Sequence, residues 1–415
     1  MEDWKEYKLG DVCTIVGRIG FRGYTTDDLT KDPKDGAITL SPTNIVQGEI
    51  DMTKPTYIKW PKYYESPEIM LAPGDIVLVK TGSSIGRTAY IRRIDHPMTL
   101  NPQFVVFKNI QINPIFLSYV VKTPHFQALL KSITVGSAIP TLSQKNLGNL
   151  MIDIPNQEYQ SKVASILKSL DDKIECNRRI NENLEQQAQA LFKSWFVDFE
   201  PFKDKPFVES ELGMIPQEWR VGTLDEIGYV IGGSTPSKAK PEYYTDNGIA
   251  WLTPKDLSIS KAKFTSKGEI DITPEGYNSC STKLMPKGSV LFSSRAPIGY
   301  ITIAKNEICT NQGFKSVIPG YAGTAFIYCY LKYVTPDIEN KATGSTFKEA
   351  SGSLIKSLQV VMAPKKVFDS FEECLKPIFA EQECLEDESR RLAELRDTLL
   401  PKLMSGEINV NEVKI

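Results

Sequence analysis

Histidine is almost missing from this chain of 415 residues: His96 and His125 are the only two. Metal centres built on imidazole and a Ser-His triad therefore have little material, and both residues read as surface or core side chains. Cysteine appears seven times, an odd count with no Cys-x-x-Cys pair. That usage argues for reduced thiols in a cytoplasmic setting and against a zinc site. No apolar run approaches bilayer-spanning length, so no membrane is expected. The opening stretch, Met1 to Asp11, is acidic and has no apolar segment, which reads as no signal peptide. Phosphate-cradle motifs are missing too. Gly232-Gly233-Ser234 and Lys80 to Ser84 do not fit Gly-x-x-x-x-Gly-Lys-Ser/Thr, and no Gly-rich strand-to-helix loop for S-adenosylmethionine is present. Nucleotide hydrolysis, a metal and a cofactor are all unexpected.

What is there is a globular composition, with 41% apolar and 24% charged residues, enough for two or three domains with ample core. A net charge of −2 hides an alternation. Residues 1–155 and 220–364 carry +2 and +4, whereas 156–219 and 365–415 each carry −4. Mildly basic globules alternating with acidic rods hint at a polyanion on the globules, although ordinary solvated faces explain the charges as well.

The rods are legible in the spacing of apolar residues. Leu167, Ile174, Asn181, Ala188 and Trp195 fall on one heptad position, and Leu170, Asn177, Leu184 and Leu191 on the other. No Pro or Gly interrupts residues 157–199. Such a stripe is buried only against another helix, and roughly forty residues make a rod on the order of 60 Å long. The partner lies in the same chain. Leu375, Gln382, Ser389, Arg396 and Leu403, with Ile378, Leu385, Leu392 and Leu399, repeat the clock 208 positions later. Asn177 and Asn181 on the seam cost stability, and the usual reason to keep such residues is register.

Everything around the helices repeats as well. Trp4 to Val12 returns as Trp219 to Ile227, and Leu71-Ala-Pro73-Gly74 as Leu284-Met-Pro286-Lys-Gly288, each a turn entering a strand. Lys80 to Arg87 matches Ser293 to Tyr300, both carrying Ile-Gly, and Asn101 to Phe104 matches Asn311 to Phe314. Short helices are expected at Pro114 to Val121 and Thr324 to Leu331, then Gly-Ser loops at Gly136-Ser137 and Gly344-Ser345. Strands are expected at Leu147 to Ile154 and Ile355 to Met362. A duplication over nearly the whole chain is a primary architectural signal. The fold class is therefore α+β, two duplicated mixed α/β globules separated by two long helices forming an antiparallel coiled coil. The boundaries read as a first globule at 1–155, a helix at 156–200 and a link at 201–218, punctuated by Pro201, Pro206 and Pro216. A second globule at 219–363, a helix at 364–404 and a tail at 405–415 complete the chain. The short connector at 201–218 favours antiparallel helices with globules at opposite ends, because it need not retrace the rod.

Three motifs carry a family resemblance. They are Leu184 to Phe199 (LEQQAQALFKSWFVDF), Leu212 to Trp219 (LGMIPQEW) and Leu395 to Ile408 (LRDTLLPKLMSGEI). In order and spacing, together with the duplication, they cover essentially the whole chain. The chain resembles the specificity subunit of type I restriction–modification enzymes. The resemblance implies a non-catalytic DNA reader, not an enzyme in itself. Such subunits place two target recognition domains on the two halves of a split double-stranded DNA sequence. They carry two methyltransferase (M) subunits, and restriction/translocase (R) subunits join for restriction. A pseudo-twofold protein on a split site fits the rule that protein symmetry mirrors half-site arrangement.

Residue types then select candidates for DNA contact. Arg18 and Arg22 flank a Gly-rich loop whose counterpart carries Lys238 and Lys240. Lys80, Ser83, Arg87 and Arg295 sit in the Ile-Gly loops, and Ser137, Ser345 and Lys348 in the Gly-Ser loops. Arg and Lys serve phosphate positioning and guanine readout, while Ser serves base edges. For each, an ordinary surface loop is an equally good reading. The helix-pair contacts are expected at Leu170, Asn177, Leu184, Leu191, Ile378, Leu385, Leu392 and Leu399. Asn101-Pro102-Gln103-Phe104 looks like the Asn-Pro-Pro-Phe/Tyr motif of adenine methyltransferases. Its second Pro is missing and it recurs degraded at Asn311 to Phe314, so it reads as a structural turn. Asp27-Asp28 and Asp171-Asp172 read as solvated carboxylates. Phe192, Trp195, Phe196, Phe199, Phe202 and Phe207 read first as core and second as a methyltransferase dock. Two other classes stay open: a single-chain DNA methyltransferase with fused recognition domains, and a coiled-coil adaptor without DNA specificity.

Overall fold

A computed structural model of the chain describes residues 4–46, 48–136, 139–344, 348–410 and 413. It forms two compact units, residues up to 173 joined by 391 onward, and residues 174–390.

In the first unit, alternating side chains build a sheet that is apolar on both faces. Its strand order is Thr14–Val16, Phe104–Lys108, Ile76–Val79 and Thr88–Tyr90, all antiparallel neighbours. Phe104 and Val106 point into a cluster with Ile38, Leu40 and Leu100. Val105 and Phe107 point the other way, into a cluster with Tyr159, Val163, Leu167, Leu400 and Leu403 of the long helices. Period-two alternation on one strand thus serves two cores. A second four-stranded sheet includes Gly36–Leu40 beside Met98–Leu100, its one parallel pair. Gly74 introduces the strand Ile76–Val79 with φ of 97°, a left-handed turn in which a Cβ would be strained.

The second unit repeats these pairings in a five-stranded sheet. Its order is Gly228–Gly232, Lys315–Pro319, Val290–Ser294, Ile298–Ala304 and Phe264–Thr265. Trp251–Leu252 runs parallel to Cys309–Thr310, as Gly36–Leu40 does to Met98–Leu100. The antiparallel pair Lys5–Lys8 with Met151–Ile154 returns as Arg220–Thr223 with Gln359–Met362. The duplication read from the sequence is thus present in strand registers as well as motifs.

Two expectations need correction. The helix opening at Thr324 continues to Lys341 through Pro336, whereas its counterpart spans only Pro114–Val120. The first copy is cut by Thr123-Pro124, where the Thr123 hydroxyl caps a new helix, Pro124–Ser132. The stretches expected as strands from Leu147 and Ile355 begin as short helices, Gln144–Gly148 and Gly352–Lys356, and only their second halves are strands. Ser143 and Ser351 accept the backbone N–H of Asn146 and Leu354, which makes each a helix start.

The long helices span Gln157–Phe196 and Lys365–Met404. Within each unit they run antiparallel, since partners rise in number on one and fall on the other. In the first unit the Tyr159 hydroxyl donates to the Leu403 carbonyl, and Arg396 bonds Asp171. In the second, Asn177 meets Ser389, Gln382 donates to the Asn181 carbonyl, and Phe196 stacks on Phe368. Leu170, Asn177 and Leu385 are buried, and Leu184, Leu191, Ile378, Leu392 and Leu399 are half-buried. At Phe192 and Phe196 the helix faces its partner and the globule together, so the apolar stripe widens and these rings sit deeper than Leu191 and Trp195. The link after the first helix holds an antiparallel hairpin, Phe207–Ser210 with Gly213–Pro216.

Candidate nucleic-acid interface

In the first unit, backbone hydrogen bonds draw the candidate loops to one edge. The Gly82 N–H donates to the Pro140 carbonyl, and the Leu142 N–H to that of Lys80, tying the Ile-Gly loop to the segment after Ser137. The Lys80 N–H reaches the Gln103 carbonyl. Gly17 lies so close to the Phe104 carbonyl that a Cβ there would come within 3.1 Å of it. Four loops that are remote in sequence thus adjoin.

The second unit assembles its counterparts in the same way. The Ser294 N–H donates to the Gly313 carbonyl and the Ala350 N–H to that of Ser294. Ser234 N–H reaches Thr310, and a Cβ on Gly233 would collide with the Asn311 carbonyl at 2.1 Å. Asn101 and Asn311 each accept the N–H two residues ahead, 2.9 Å from Gln103 and 2.8 Å from Gly313. Both asparagines therefore act as turn formers, as the degraded repeat of this motif suggests.

The candidate side chains differ in what they can offer. Ser83, Arg87, Lys238, Lys240 and Lys348 are exposed. Lys240 lies over the Tyr243 ring at 5.0 Å, and Lys348 donates to the Glu339 carbonyl. Lys80 is half-buried, its ammonium has no partner among the described residues, and burial lowers its pKa. Arg295 is held by Glu349 at 3.5 Å, and Arg22 by Glu68 at 3.4 Å. Ser137 and Ser345 lie outside the described residues. Arg18 points inward and is only 5% exposed. Its guanidinium donates to the carbonyls of Leu100 and Arg22 and to the Ser66 hydroxyl, and burial lowers its pKa. That geometry makes Arg18 a brace beneath the Gly17–Arg22 loop.

Sequence reasoning missed two carboxylates held inside the first long helix's packing, Asp171 buried and Glu185 half-buried. Asp27 is exposed as expected and Asp28 is half-buried, whereas Asp171 is buried. It accepts the Tyr119 hydroxyl at 2.5 Å and Arg396 at 2.7 Å, with Arg92 at 3.6 Å. Burial, reinforced by this carboxylate, pushes the Tyr119 phenol far above its ordinary pKa. Glu185 in the second unit accepts Lys263 at 2.8 Å, Lys332 at 2.7 Å and the Tyr328 hydroxyl at 3.3 Å. Burial works against its charge, yet the two ammonium groups hold its pKa down at about 2. Asp171 sits beside Asp172, which is exposed, so nothing local in the sequence distinguishes the pair. The aromatic group packs as core: Phe196 against Phe326 and Phe371, and Phe199 and Phe202 against Trp219.

Among the described residues, no cluster of His, Cys, Asp or Glu could hold a metal ion, and no helix is long and apolar enough to cross a membrane. The family described as type I restriction modification DNA specificity domain matches residues 1–186 and again 216–367, one match for each copy of the duplication. The chain is 26% identical over 477 residues to the type I restriction enzyme HindI specificity subunit of Haemophilus influenzae, covering 98% of this chain and 100% of that one. It is 28% identical over 431 residues to the MjaIX specificity subunit of Methanocaldococcus jannaschii, covering 99% and 95%. The crystal structure of a type I restriction–modification S subunit from M. genitalium shares the fold, with a TM-score of 0.56, 16% identity and coverage of 97% and 96%. With two matching domains, two antiparallel helices and full-length relatives of one kind, the chain belongs to the family of type I restriction–modification specificity subunits.

Proposed function

We propose that this chain reads a split, two-part sequence on double-stranded DNA, without catalytic chemistry of its own, and scaffolds two methyltransferase subunits and, through the complex, restriction/translocase subunits. One recognition domain, residues 1–155, reads one half of the site, and the other, 219–363, reads the second. The helices at 156–200 and 364–404, the link at 201–218 and the tail at 405–415 form the frame. The observation that carries this reading is the gathering of equivalent loops in both units by equivalent backbone hydrogen bonds. A duplicated loop cluster with exposed cations suits two similar encounters with a polyanion.

Lys80, Ser83, Arg87 and Arg22 are the proposed contacts in the first domain, with Ser137. Lys238, Lys240, Arg295 and Lys348 are those in the second, with Ser345. Arg22 and Arg295 would exchange their carboxylate partners for DNA phosphate or guanine. The proposed site of action is the cytoplasm.

Methylome sequencing of cells carrying the chain with its cognate methyltransferase tests the reading. A two-part motif methylated only when both proteins are present is expected. Methylation by the purified chain alone would favour a fused single-chain methyltransferase, and assembly without sequence-specific DNA binding would favour an adaptor.

A further inference from the structure

Asp171 and Glu185 form matched polar clamps. Each takes one carboxylate from the first long helix, Asp171 or Glu185, spaced 14 residues apart. Each meets a polar residue of the second helix, Arg396 or Gln382, spaced by the same 14 residues in reverse order. A tyrosine from a globule helix, Tyr119 or Tyr328, donates to each carboxylate. A cation from the globule's sheet region completes each clamp: Arg92 at Asp171, and Lys263 at Glu185. Lys263 is almost fully buried and lies 3.5 Å over the Phe379 ring of the second helix, while bonding Gln382 at 2.7 Å. Glu386 of that helix accepts the backbone N–H of Lys263 and Phe264, so the strand beside the clamp is held too.

The duplication does not account for this arrangement. At the 208-residue offset, Asp171 corresponds to Phe379, so a symmetric copy of the first clamp would take its carboxylate from the second helix. The second clamp instead uses Glu185 of the first helix. Each clamp therefore takes its carboxylate from the first long helix, at sequence positions two heptads apart. Buried charges add little net stability over apolar residues of the same volume, but their hydrogen bonds accept one geometry only. A greasy seam lets a globule slide or rock on its helices, and a buried charged clamp does not.

We propose that Asp171 and Glu185 are positioning residues that hold each recognition domain at one height and angle on the helix pair, and so make the complex selective for one spacer length between its half-sites. This rests on the split-site reading above. The test uses the full chain assembled with its methyltransferase subunits, on duplexes bearing both half-sequences at the native spacer and at one base pair more or fewer. Tyr119→Phe and Asp171→Asn at the first clamp, and Lys263→Met at the second, are compared with the parent and with Leu170→Ala. The clamp variants should keep both half-sequences but lose about tenfold in preference for the native spacer, the equivalent of about 1.4 kcal/mol. Leu170→Ala should lower Tm and leave that preference intact. A preference within twofold of the parent in Tyr119→Phe and Lys263→Met, whatever their Tm, would overturn the proposal and leave the clamps as structural polar groups. Tyr119→Phe removes one hydroxyl only, so it decides the first clamp if Asp171→Asn does not fold. A parent that methylates a continuous, one-part sequence defeats the split-site reading itself, and the proposal falls with it.

Discussion

Asn177 on the first long helix donates its side-chain amide to the Glu388 carboxylate of the second at 2.7 Å, and to the Ser389 hydroxyl at 3.3 Å. Asn177 is wholly buried, and its side-chain oxygen has no partner among the described residues. A polar group half-satisfied on a seam specifies register at a cost in stability. Asn177→Leu should therefore raise the unfolding free energy by about 1 kcal/mol, read as a higher denaturant midpoint at unchanged m-value. An equal or lower midpoint would show that the amide's two hydrogen bonds outweigh the unpaired oxygen.

Acid should weaken the second clamp in a defined window. The folded-state pKa of Glu185 is depressed from 4.5 to about 2. Its contribution is thus fully present above the unfolded value and is lost as pH falls through the folded one. On the order of 3 kcal/mol is at stake at neutral pH, from about 1.4 kcal/mol per pKa unit. Glu185→Gln should be less stable than the parent at pH 7, and the gap should close between about pH 4.5 and pH 2. Urea midpoints measured across that range check it, and a pH-independent gap would contradict the assignment.

Two leucines on the long helices should respond unequally to truncation. Leu170 is 4% exposed and Leu395 is 47% exposed. Leu170→Ala should cost roughly 2–5 kcal/mol through reduced burial and a residual cavity. Leu395→Ala should stay within about 0.5 kcal/mol of the parent. Equal losses would mean that Leu395 is covered in the protein measured.

Exposed cations in the two loop clusters should act on separate half-sites. Arg87→Ala should relax base preference or weaken binding in the half-site read by the first domain only, and Lys238→Ala in the other only. Where the deleted cation neutralises a phosphate, the slope of log affinity against log salt should also fall by about one. Salt titrations with the assembled complex and the methylated motif of each variant are the measurements. Changes in both half-sites from a single substitution would contradict the division of labour.

The pairing Thr81 with Thr141 and its counterpart, Arg295 with Glu349, show how far the sequence could be read. The loops themselves stand out by composition and repetition, because Gly, Ser and Ile-Gly turn signals are local. Arg18 shows the limit. Its residue type suggested DNA, but a guanidinium beside Leu100 and Ser66 depends on partners 82 and 48 residues away. The sequence also assigns the short segment from Leu147 to one strand. There the Ser143 hydroxyl competes for the backbone and starts a helix first.

The amino-acid order by itself determined the duplication and the two long helices, and the short connector between them favoured an antiparallel pairing. Heptad spacing and repeated turn residues are one-dimensional patterns, and helix geometry converts them directly into faces. Only the tertiary structure decided which charges are buried. Asp171 and Asp172 are chemically identical neighbours, yet a rotation of about 100° per residue on the helix sends one to Tyr119 and Arg396 and leaves the other at the surface. Glu185 and Lys263 lie 78 residues apart in sequence, and the partner that neutralises each charge comes from packing that no local pattern records.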